Sequence, residues 1–393
     1  MNALGLAILA LALGHVFSNA VRTLPAMAAD VLQRDLGIST DGLAALTGAF
    51  PAAFALTMLP VGVALDRYGV KPTALALLAI AAVGSALGAV ATGPWSMLLA
   101  QVVLGIGCSG MLMCPMTYAA KNLPPQKFGL WGGLIQAFGN TGMLLSASPL
   151  AVLVDHAGWR SGYLACGALA IAAAIAVVAV VREVRTPPQA RRSAAEDAHD
   201  VIALGLSRDI RGPMVITFAS FAAVLGVRGL WGGPWLMEMK GLARVPAGHV
   251  LLACTVALII GPVIAGVLER RFQRHRRALL AAGHLGAAAT ILLLVAGGHL
   301  GWGVASDVAL LFAFGLLISS QVICFALVRA AVAPERVGRA LSAMNFSFFG
   351  GAAVLQAASG VAASAGGIGA ALAVFAGALV ICTLAFLRLP GPR

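Results

Sequence analysis

The chain has 393 residues, of which 60% are hydrophobic and only 10% are charged, and its mean hydropathy is +0.95. A soluble domain carries roughly 25% charged residues, so this composition excludes an ordinary soluble enzyme. The net charge of +12 lies in short basic runs between apolar segments. Such runs are typical of membrane-protein loops and exclude a nucleic-acid-binding face.

Twelve segments are long and apolar enough to cross a bilayer, which requires about 20 residues each. We therefore predict an all-α membrane protein with twelve transmembrane helices. Residues 1–20 have no basic leader and are interpreted as the first span, not as a cleaved signal. The predicted spans are 3–29, 42–65, 73–92, 94–119, 129–154, 161–181, 212–237, 247–269, 277–297, 303–331, 337–363 and 366–388.

A charged stretch divides the chain into two halves. Residues 182–211 contain Pro187–Pro188 and form the predicted cytoplasmic linker. The N-terminal six-helix half is predicted over 1–181, and the C-terminal six-helix half over 212–393.

The basic residues predict the orientation in the membrane. With a cytoplasmic N-terminus, 20 of the 26 Lys and Arg residues fall on the cytoplasmic side, four on the other side, and two within spans. Positive loops face the cytoplasm, so both termini are predicted to be cytoplasmic. The Ala-, Gly- and Arg-rich composition suggests the inner membrane of a GC-rich bacterium.

Short sequences recur in the two halves. Pro125–Gly129 opens segment 5, and the similar Pro334–Gly338 opens segment 11, 209 positions later. Leu65-Asp66-Arg67 and Leu268-Glu269-Arg270 end segments 2 and 8, 203 positions apart. Parallel repeats of six helices are typical of one class of secondary transporter.

The loop after segment 2 carries a spaced motif, G-x-x-x-D-R-x-G-x-K, and the sequence 158–160, Gly-Trp-Arg, follows segment 5. With these motifs the whole chain resembles the major facilitator superfamily, which implies two pseudo-symmetric six-helix bundles. The resemblance also implies that the motif is a conformational latch, joining the cytoplasmic ends of the halves in one state. A loop anchored only by its positive charge is the alternative. The residues of this loop motif are Gly62, Asp66, Arg67, Gly69 and Lys71.

Two departures weigh against a drug/proton antiporter of the usual type. Gln101, before Gly105 and Gly107, stands where the superfamily's proton antiporters often carry an arginine in segment 4. The Gly-Pro motif that drug exporters carry in segment 5 is not matched by residues 139–149.

The first span carries a polar face that ends in a charge. His15, Asn19 and Arg22 are spaced i, i+4 and i+7, so a helix places them on one face. A charge within a span is costly and indicates a water-filled pathway or a partner. The alternatives are that Arg22 extends to the outer interface or pairs with Asp30.

Segment 7 carries the corresponding charge in the second half. Arg228 is followed at +3 and +7 by Trp231 and Trp235, which we predict to shape an apolar wall. We expect Arg22 and Arg228 to face each other and to bind a carboxylate or phosphate with their planar guanidinium groups. Organophosphate and organic-anion members of the superfamily are similar in having one arginine from segment 1 and one from segment 7.

The acidic residues indicate the sign of the substrate. None of the fourteen lies at the centre of a predicted span, which favours an anionic substrate over a cation. His15 is the first candidate for a proton relay and His284 the second. A hydrogen-bonded structural role is the preferred interpretation of His15.

Amides in segments 5 and 11 are further candidates for substrate contact. Gln136 and Asn345 occupy the same repeat position, and Asn140 lies one turn beyond Gln136. Cross-linking of helices is the alternative role for such amides.

Segment 4 contains a sulfur-rich patch that could bind Cu(I), although packing is the preferred interpretation of it. The remaining cysteines lie singly in apolar segments and have no disulfide or metal spacing. The patch consists of Cys108, Met111, Met113, Cys114 and Met116.

The sequence thus predicts a monomeric secondary active transporter of a small organic anion, working by rocker-switch alternating access in the lipid bilayer. A proton is the candidate coupling ion, and no cofactor, metal or catalytic residue is predicted. An efflux pump for amphipathic drugs or metabolites is the alternative. A copper transporter and a transport-inactive sensor are the weaker ones.

Overall fold

The computed structural model describes residues 3–22, 24–37, 40–147, 149–182 and 194–389. Within these ranges the chain consists of helices and short turns, and no strand occurs. The helices are α1 (Ala3–Arg22), α2 (Leu24–Met27), α3 (Ala29–Leu36), α4 (Thr40–Arg67), α5 (Val70–Ala89), α6 (Pro94–Cys108), α7 (Met113–Asn122), α8 (Pro125–Ala147), α9 (Pro149–Val180), α10 (Ala194–Leu206), α11 (Arg211–Val224), α12 (Gly232–Lys240), α13 (Arg244–Arg271), α14 (Arg276–His299), α15 (Val304–Ile318), α16 (Ile323–Ala331) and α17 (Val337–Arg388).

Ten helical stretches of the described residues are long and apolar enough to cross a membrane. The last of them, Pro334–Arg388, contains two predicted spans, because the backbone leaves the helix at Gly366 and Gly367. Gly367 has a φ of 73°, which glycine adopts without strain. Helix α8, with 23 residues, has the length that a further crossing needs. The predicted all-α fold with twelve transmembrane helices is confirmed.

Several predicted boundaries were wrong. The first span was predicted to end at residue 29, but α1 ends at Arg22 and is followed by the short helices α2 and α3. The predicted span 129–154 is divided between α8 and α9. The predicted span 94–119 agrees with the single apolar stretch Pro94–Asn122, in which a short turn separates α6 from α7. A hydropathy window averages over many residues, so it does not register a turn between two apolar helices.

The predicted linker contains a helix, α10, which was not predicted. Val201 and Leu204 on this helix are buried, whereas Ile202 and Leu206 are exposed. Pro187–Pro188 lies outside the described residues. The predicted division of the chain into halves at this linker stays a prediction.

The chain forms two compact units. In unit 1, α5 packs against α6 and α9, α4 packs against α6, and α1 packs against α9. In unit 2, α13 and α14 pack against α15, and Trp235, Phe314 and Phe375 lie in the hydrophobic core. Unit 1 comprises Met1–Asn122, Phe138–Val201 and Glu335–Ser342. Unit 2 comprises Leu123–Ala137, Ile202–Pro334 and Ala343–Arg393.

Small residues bring the helices of unit 1 into close contact. At Gly107 of α6, a β-carbon would lie 2.5 Å from the backbone nitrogen of Ala81 and 2.7 Å from its Cα. The backbone of Ala81 cannot move away from an added methyl group as the end of a flexible side chain could. The pairing of α5 with α6 therefore requires glycine at position 107.

We expect Gly107→Ala to destabilise the protein by about 1–3 kcal/mol, because the added methyl group overpacks a rigid contact. The measurement is the thermal unfolding of the detergent-purified protein. Gly377→Ala is the matched control, since a β-carbon at this helical glycine meets nothing within 4 Å. An unfolding temperature of Gly107→Ala at or above that of the control would contradict the prediction.

Candidate functional site

In unit 1, the polar face of α1 is held together by hydrogen bonds. The Asn19 amide donates to the carbonyl oxygen of Gly139 at 2.9 Å, and its nitrogen lies 3.5 Å from Nε2 of His15. Arg22 donates from Nη2 to the Asn19 side-chain oxygen. His15 and Asn19 are buried and Arg22 is half-buried. The three side chains thus lie along one face, as their spacing predicts, and their role in binding stays a prediction.

Glycines of α8 allow this close approach of backbone to α1. A β-carbon at Gly139 would overlap the ring of His15, and one at Gly142 would overlap the backbone of Val16. Gly139 and Gly142, in the part of α8 that does not match the drug-exporter motif, therefore form a packing surface for α1. Asn140, between the two glycines, is buried.

Gln101 is satisfied inside unit 1. Its amide donates to the hydroxyl of Tyr163 at 2.8 Å, and both side chains are buried. The ring of Trp159 packs edge-on against Tyr163, with centroids 6.0 Å apart. Gln101 thus forms a neutral cross-link between α6 and α9.

In unit 2, Arg228 lies in a π-helical turn, Leu225–Trp231, between α11 and α12. Such turns interrupt α-helices and often occur at functional sites. The Nε of Arg228 donates to Oγ1 of Thr255 on α13 at 2.9 Å. Among the described residues, no carboxylate lies within ion-pair distance of Arg228, which is half-buried.

The two tryptophans that follow Arg228 have different surroundings. Trp231 is half-buried and donates from Nε1 to the hydroxyl of Ser359 on α17 at 2.9 Å. Trp235 is buried in the core, where its ring packs against Gly298 and lies 6.4 Å from the ring of His299. The α-helical spacing behind the predicted shared face does not apply across a π-helical turn. The predicted apolar wall stays a prediction. Of the two tryptophans, the half-buried Trp231 is the better candidate for it.

The amides of segments 5 and 11 differ in exposure. Gln136 on α8 is half-buried. Asn345 on α17 is 2% exposed, and its Nδ2 has no hydrogen-bond partner in the described part of the chain. A buried amide donor without a partner is costly, so Asn345 retains a donor for a ligand or water.

The carboxylate of the loop motif binds the first turn of α17 within unit 1. Asp66 accepts hydrogen bonds from the backbone nitrogens of Gly338 at 3.0 Å and Arg339 at 2.9 Å. Lys121 lies 3.5 Å from the same carboxylate. A carboxylate at a helix N-terminus satisfies free N–H groups and the positive end of the helix dipole. This geometry suits the predicted latch, whose function is untested.

The other members of the loop motif have separate roles. A β-carbon at Gly62 would clash with the side chain of Ser342. Gly69 precedes α5 with a φ of 93°, which favours glycine. The guanidinium of Arg67 lies 5.7 Å from the ring of Tyr68.

Lys71 stabilises the C-terminal end of α9. Its ammonium donates to the carbonyl oxygens of Val178 at 3.0 Å and Val181 at 2.8 Å. The last carbonyls of a helix have no intrahelical partner, and a cation there also complements the dipole. The motif's lysine therefore joins α5 to α9 inside unit 1.

Unit 2 places corresponding residues in similar positions, but Oε2 of Glu269 has no hydrogen-bond partner among the described residues, whereas both oxygens of Asp66 accept backbone bonds. Glu269, buried at the end of α13, lies against Gly129 in the first turns of α8, where a β-carbon would overlap its carboxylate, and it forms an ion pair with Arg276. Arg277, 206 positions after Lys71, donates to the carbonyl oxygens of Phe386 and Leu389 at 2.7 Å each.

Sequence reasoning found the repeat but did not predict the contacts of Glu269 and Arg277 described above. The offset of 203 between Asp66 and Glu269 was the signal that pointed to Glu269 as the counterpart of Asp66. Thr255 and Ser359 were also missed, because a single hydroxyl in an apolar span gives no distinctive pattern.

The remaining candidates are buried in packing environments. All five members of the sulfur patch are buried, and no group of three His, Cys, Asp or Glu residues suited to a metal occurs among the described residues. His284 is within 2.6 Å of the Ser220 hydroxyl and 2.9 Å of the Leu280 carbonyl oxygen. The side chain of Asp30, the proposed alternative partner of Arg22, lies outside the described residues.

Comparison with known proteins gives one family and a common fold. The Major Facilitator Superfamily matches residues 11–326. Among solved structures, the proton:xylose symporter XylE bound to 6-bromo-6-deoxy-D-glucose is similar with a TM-score of 0.78 and 15% identity, covering 98% of this chain and 96% of that one.

Two curated relatives have names that indicate different functions, and their sequence identities to this chain are similar. The chain is 22% identical over 263 residues to the probable sulfoacetate transporter SauU of Cupriavidus necator, covering 63% of this chain and 61% of that protein. It is 24% identical over 235 residues to the methylenomycin A resistance protein of Bacillus subtilis, covering 58% of this chain and 47% of that protein. The chain thus spans less than two thirds of the length of either relative.

Proposed function

Because the chain belongs to the Major Facilitator Superfamily, a family of multi-pass membrane transporters, we propose that it is a secondary active transporter of a small organic anion. The anion is a carboxylate or a phosphate compound, moved by rocker-switch alternating access. The proposed location is the inner membrane of a bacterium, with both termini in the cytoplasm.

The observation that carries this proposal is the environment of Arg228. It lies in the interior of the stretch Arg211–Lys240, in a π-helical turn, and its described hydrogen bond goes to a neutral hydroxyl. A guanidinium within a span needs compensation for its lost hydration. An anionic substrate supplies that compensation when it binds and removes it when it leaves.

Arg22 is the proposed second ligand. It is half-buried at the end of α1 and donates to Asn19, which is itself fixed to the backbone of α8. A guanidinium offers paired N–H groups that match the oxygens of a carboxylate or phosphate. The expected face-to-face placement of the two arginines stays a prediction.

The relatives support an anion and also favour a second candidate. Sulfoacetate, in the name of one relative, is an organic anion. The name of the other relative, a resistance protein, favours export of a drug or metabolite as the second candidate function. Loss of anion binding on substitution of Arg228 separates the two, because an amphipathic drug site does not require that charge.

The test is a thermal-shift panel on the purified protein. We expect benzoate, sulfoacetate or glycerol 3-phosphate to raise the unfolding temperature, whereas xylose and choline leave it unchanged. A ligand at a hundredfold excess over its Kd stabilises the state it binds by about 2.7 kcal/mol. Uptake of the stabilising anion into proteoliposomes then establishes transport. Stabilisation by choline alone would contradict an anion site.

A further inference from the structure

We infer that Thr255 is a positioning residue for the anion site: its hydroxyl orients Arg228 so that the terminal nitrogens of the guanidinium meet the substrate. This inference rests on the proposed function and adds a residue to its site.

The hydroxyl of Thr255 is itself oriented by its helix. Thr255 is 1% exposed, and its Oγ1 donates to the carbonyl oxygen of Leu251 at 3.2 Å. Since a hydroxyl has one proton, this bond leaves the oxygen's lone pairs to accept from Arg228. The Nε of Arg228 approaches that oxygen at 2.9 Å. The acceptor is thus fixed before any substrate binds.

The bond to Thr255 uses only one edge of the guanidinium. Nε has a single N–H group, and Nη1 and Nη2 carry the other four. Neither terminal nitrogen of Arg228 has a protein acceptor among the described residues. A carboxylate or a phosphate can therefore accept two parallel hydrogen bonds from them.

Trp231, the last residue of the π-helical turn, is held by a similar pair of hydrogen bonds. Ser359 donates from Oγ to the carbonyl oxygen of Gln356 at 2.7 Å and accepts from Nε1 of Trp231 at 2.9 Å. Two hydroxyls, on α13 and α17, thus each donate to their own helix and accept from one side chain of the turn Leu225–Trp231. The repetition indicates that the turn's side chains are pre-organised and not merely packed.

Thr255→Val tests the inference, since it removes the hydroxyl and keeps the side-chain shape. For the panel anion that stabilises the wild type (benzoate, sulfoacetate or glycerol 3-phosphate), we expect Kd and the transport KM to rise about tenfold, with Vmax near that of the wild type. Thr255→Ser, which retains the hydroxyl, is expected to restore the Kd to within about twofold. Thr255→Ala is a second variant without the hydroxyl, for use if Thr255→Val does not fold.

Thr217→Val is the matched control. Thr217 is also buried, and its hydroxyl bonds the carbonyl oxygen of Pro213 at 2.8 Å, so the variant loses a threonine–backbone bond without touching an arginine. Its Kd is expected to equal that of the wild type. In an Arg228→Lys background, which lacks Nε–H, Thr255→Val is expected to weaken binding less than about twofold.

The outcomes separate this inference from the proposed function. If the wild type binds the anion and Arg228→Ala abolishes binding while Thr255→Val binds as the wild type does, the positioning role is overturned and the proposed function stands. An equal loss of affinity in Thr217→Val also overturns it, since the effect is then structural. If no panel anion stabilises the wild type, both are overturned.

Discussion

Replacing Arg228 by alanine is expected to abolish anion binding while leaving the fold at least as stable as the wild type. Two charge-assisted hydrogen bonds, worth about 1.5–3 kcal/mol each, are lost, so Kd rises at least about a hundredfold. The stability of the unliganded protein does not fall, because the lost charge is half-buried and has no described carboxylate partner. The measurements are anion affinity and the unfolding temperature without ligand.

Two substitutions control this experiment. Arg208→Ala removes an exposed arginine and is expected to change neither quantity. Arg228→Lys retains the charge but not the planar paired donors, so its affinity should fall between those of the wild type and Arg228→Ala. Wild-type uptake by Arg228→Ala would remove Arg228 from the site and favour the drug-export candidate.

Asp66→Asn is expected to reduce transport about tenfold or more without changing anion affinity. The carboxylate accepts from Gly338 at 3.0 Å with one oxygen and from Arg339 at 2.9 Å with the other. Asparagine has a single accepting oxygen, so one of these bonds is lost and the other loses its charge. Bonds to a charged group contribute about 1.5–3 kcal/mol each, so the conformation that contains them loses population. The measurements are Vmax of uptake in proteoliposomes and the Kd of the anion.

Glu335→Gln is the matched control for Asp66→Asn. Glu335 is an exposed acid three residues before Gly338, and no bond from it to the first turn of α17 is described. It is expected to transport as the wild type does. An unchanged Vmax in Asp66→Asn would show that the contact between Asp66 and α17 only caps the helix and has no role in transport. A parallel rise in Kd would instead show that the substitution disturbs the binding site.

The lysine of the loop motif shows how a correct motif can conceal its contacts. The resemblance groups Lys71 with Asp66 in a latch, but the described bonds of Lys71 go to the last turn of α9, at Val178 and Val181. Arg277 repeats that arrangement at the end of α17. A spacing predicts that residues are neighbours in the chain and does not predict which distant backbone they meet.

The candidate binding residues were predictable to the extent that their helices are regular. On α1 the spacing of His15, Asn19 and Arg22 follows the α-helical period, and their side chains lie together. After Arg228 the same period fails, because the helix passes through a π-helical turn and Trp235 enters the core. Such a turn inserts a residue into the period without changing composition or hydropathy.

The sequence by itself determined the membrane fold, the family resemblance and the two charges within spans, because each depends on quantities that one chain carries: hydropathy, charge position and repeat offset. Only the tertiary structure decided what the charged residues contact. Arg228 donates to Thr255, 27 residues later, and Asp66 accepts from a helix that begins 271 residues later. These partners are a hydroxyl and backbone N–H groups, which occur throughout the chain, so only their convergence in space distinguishes them.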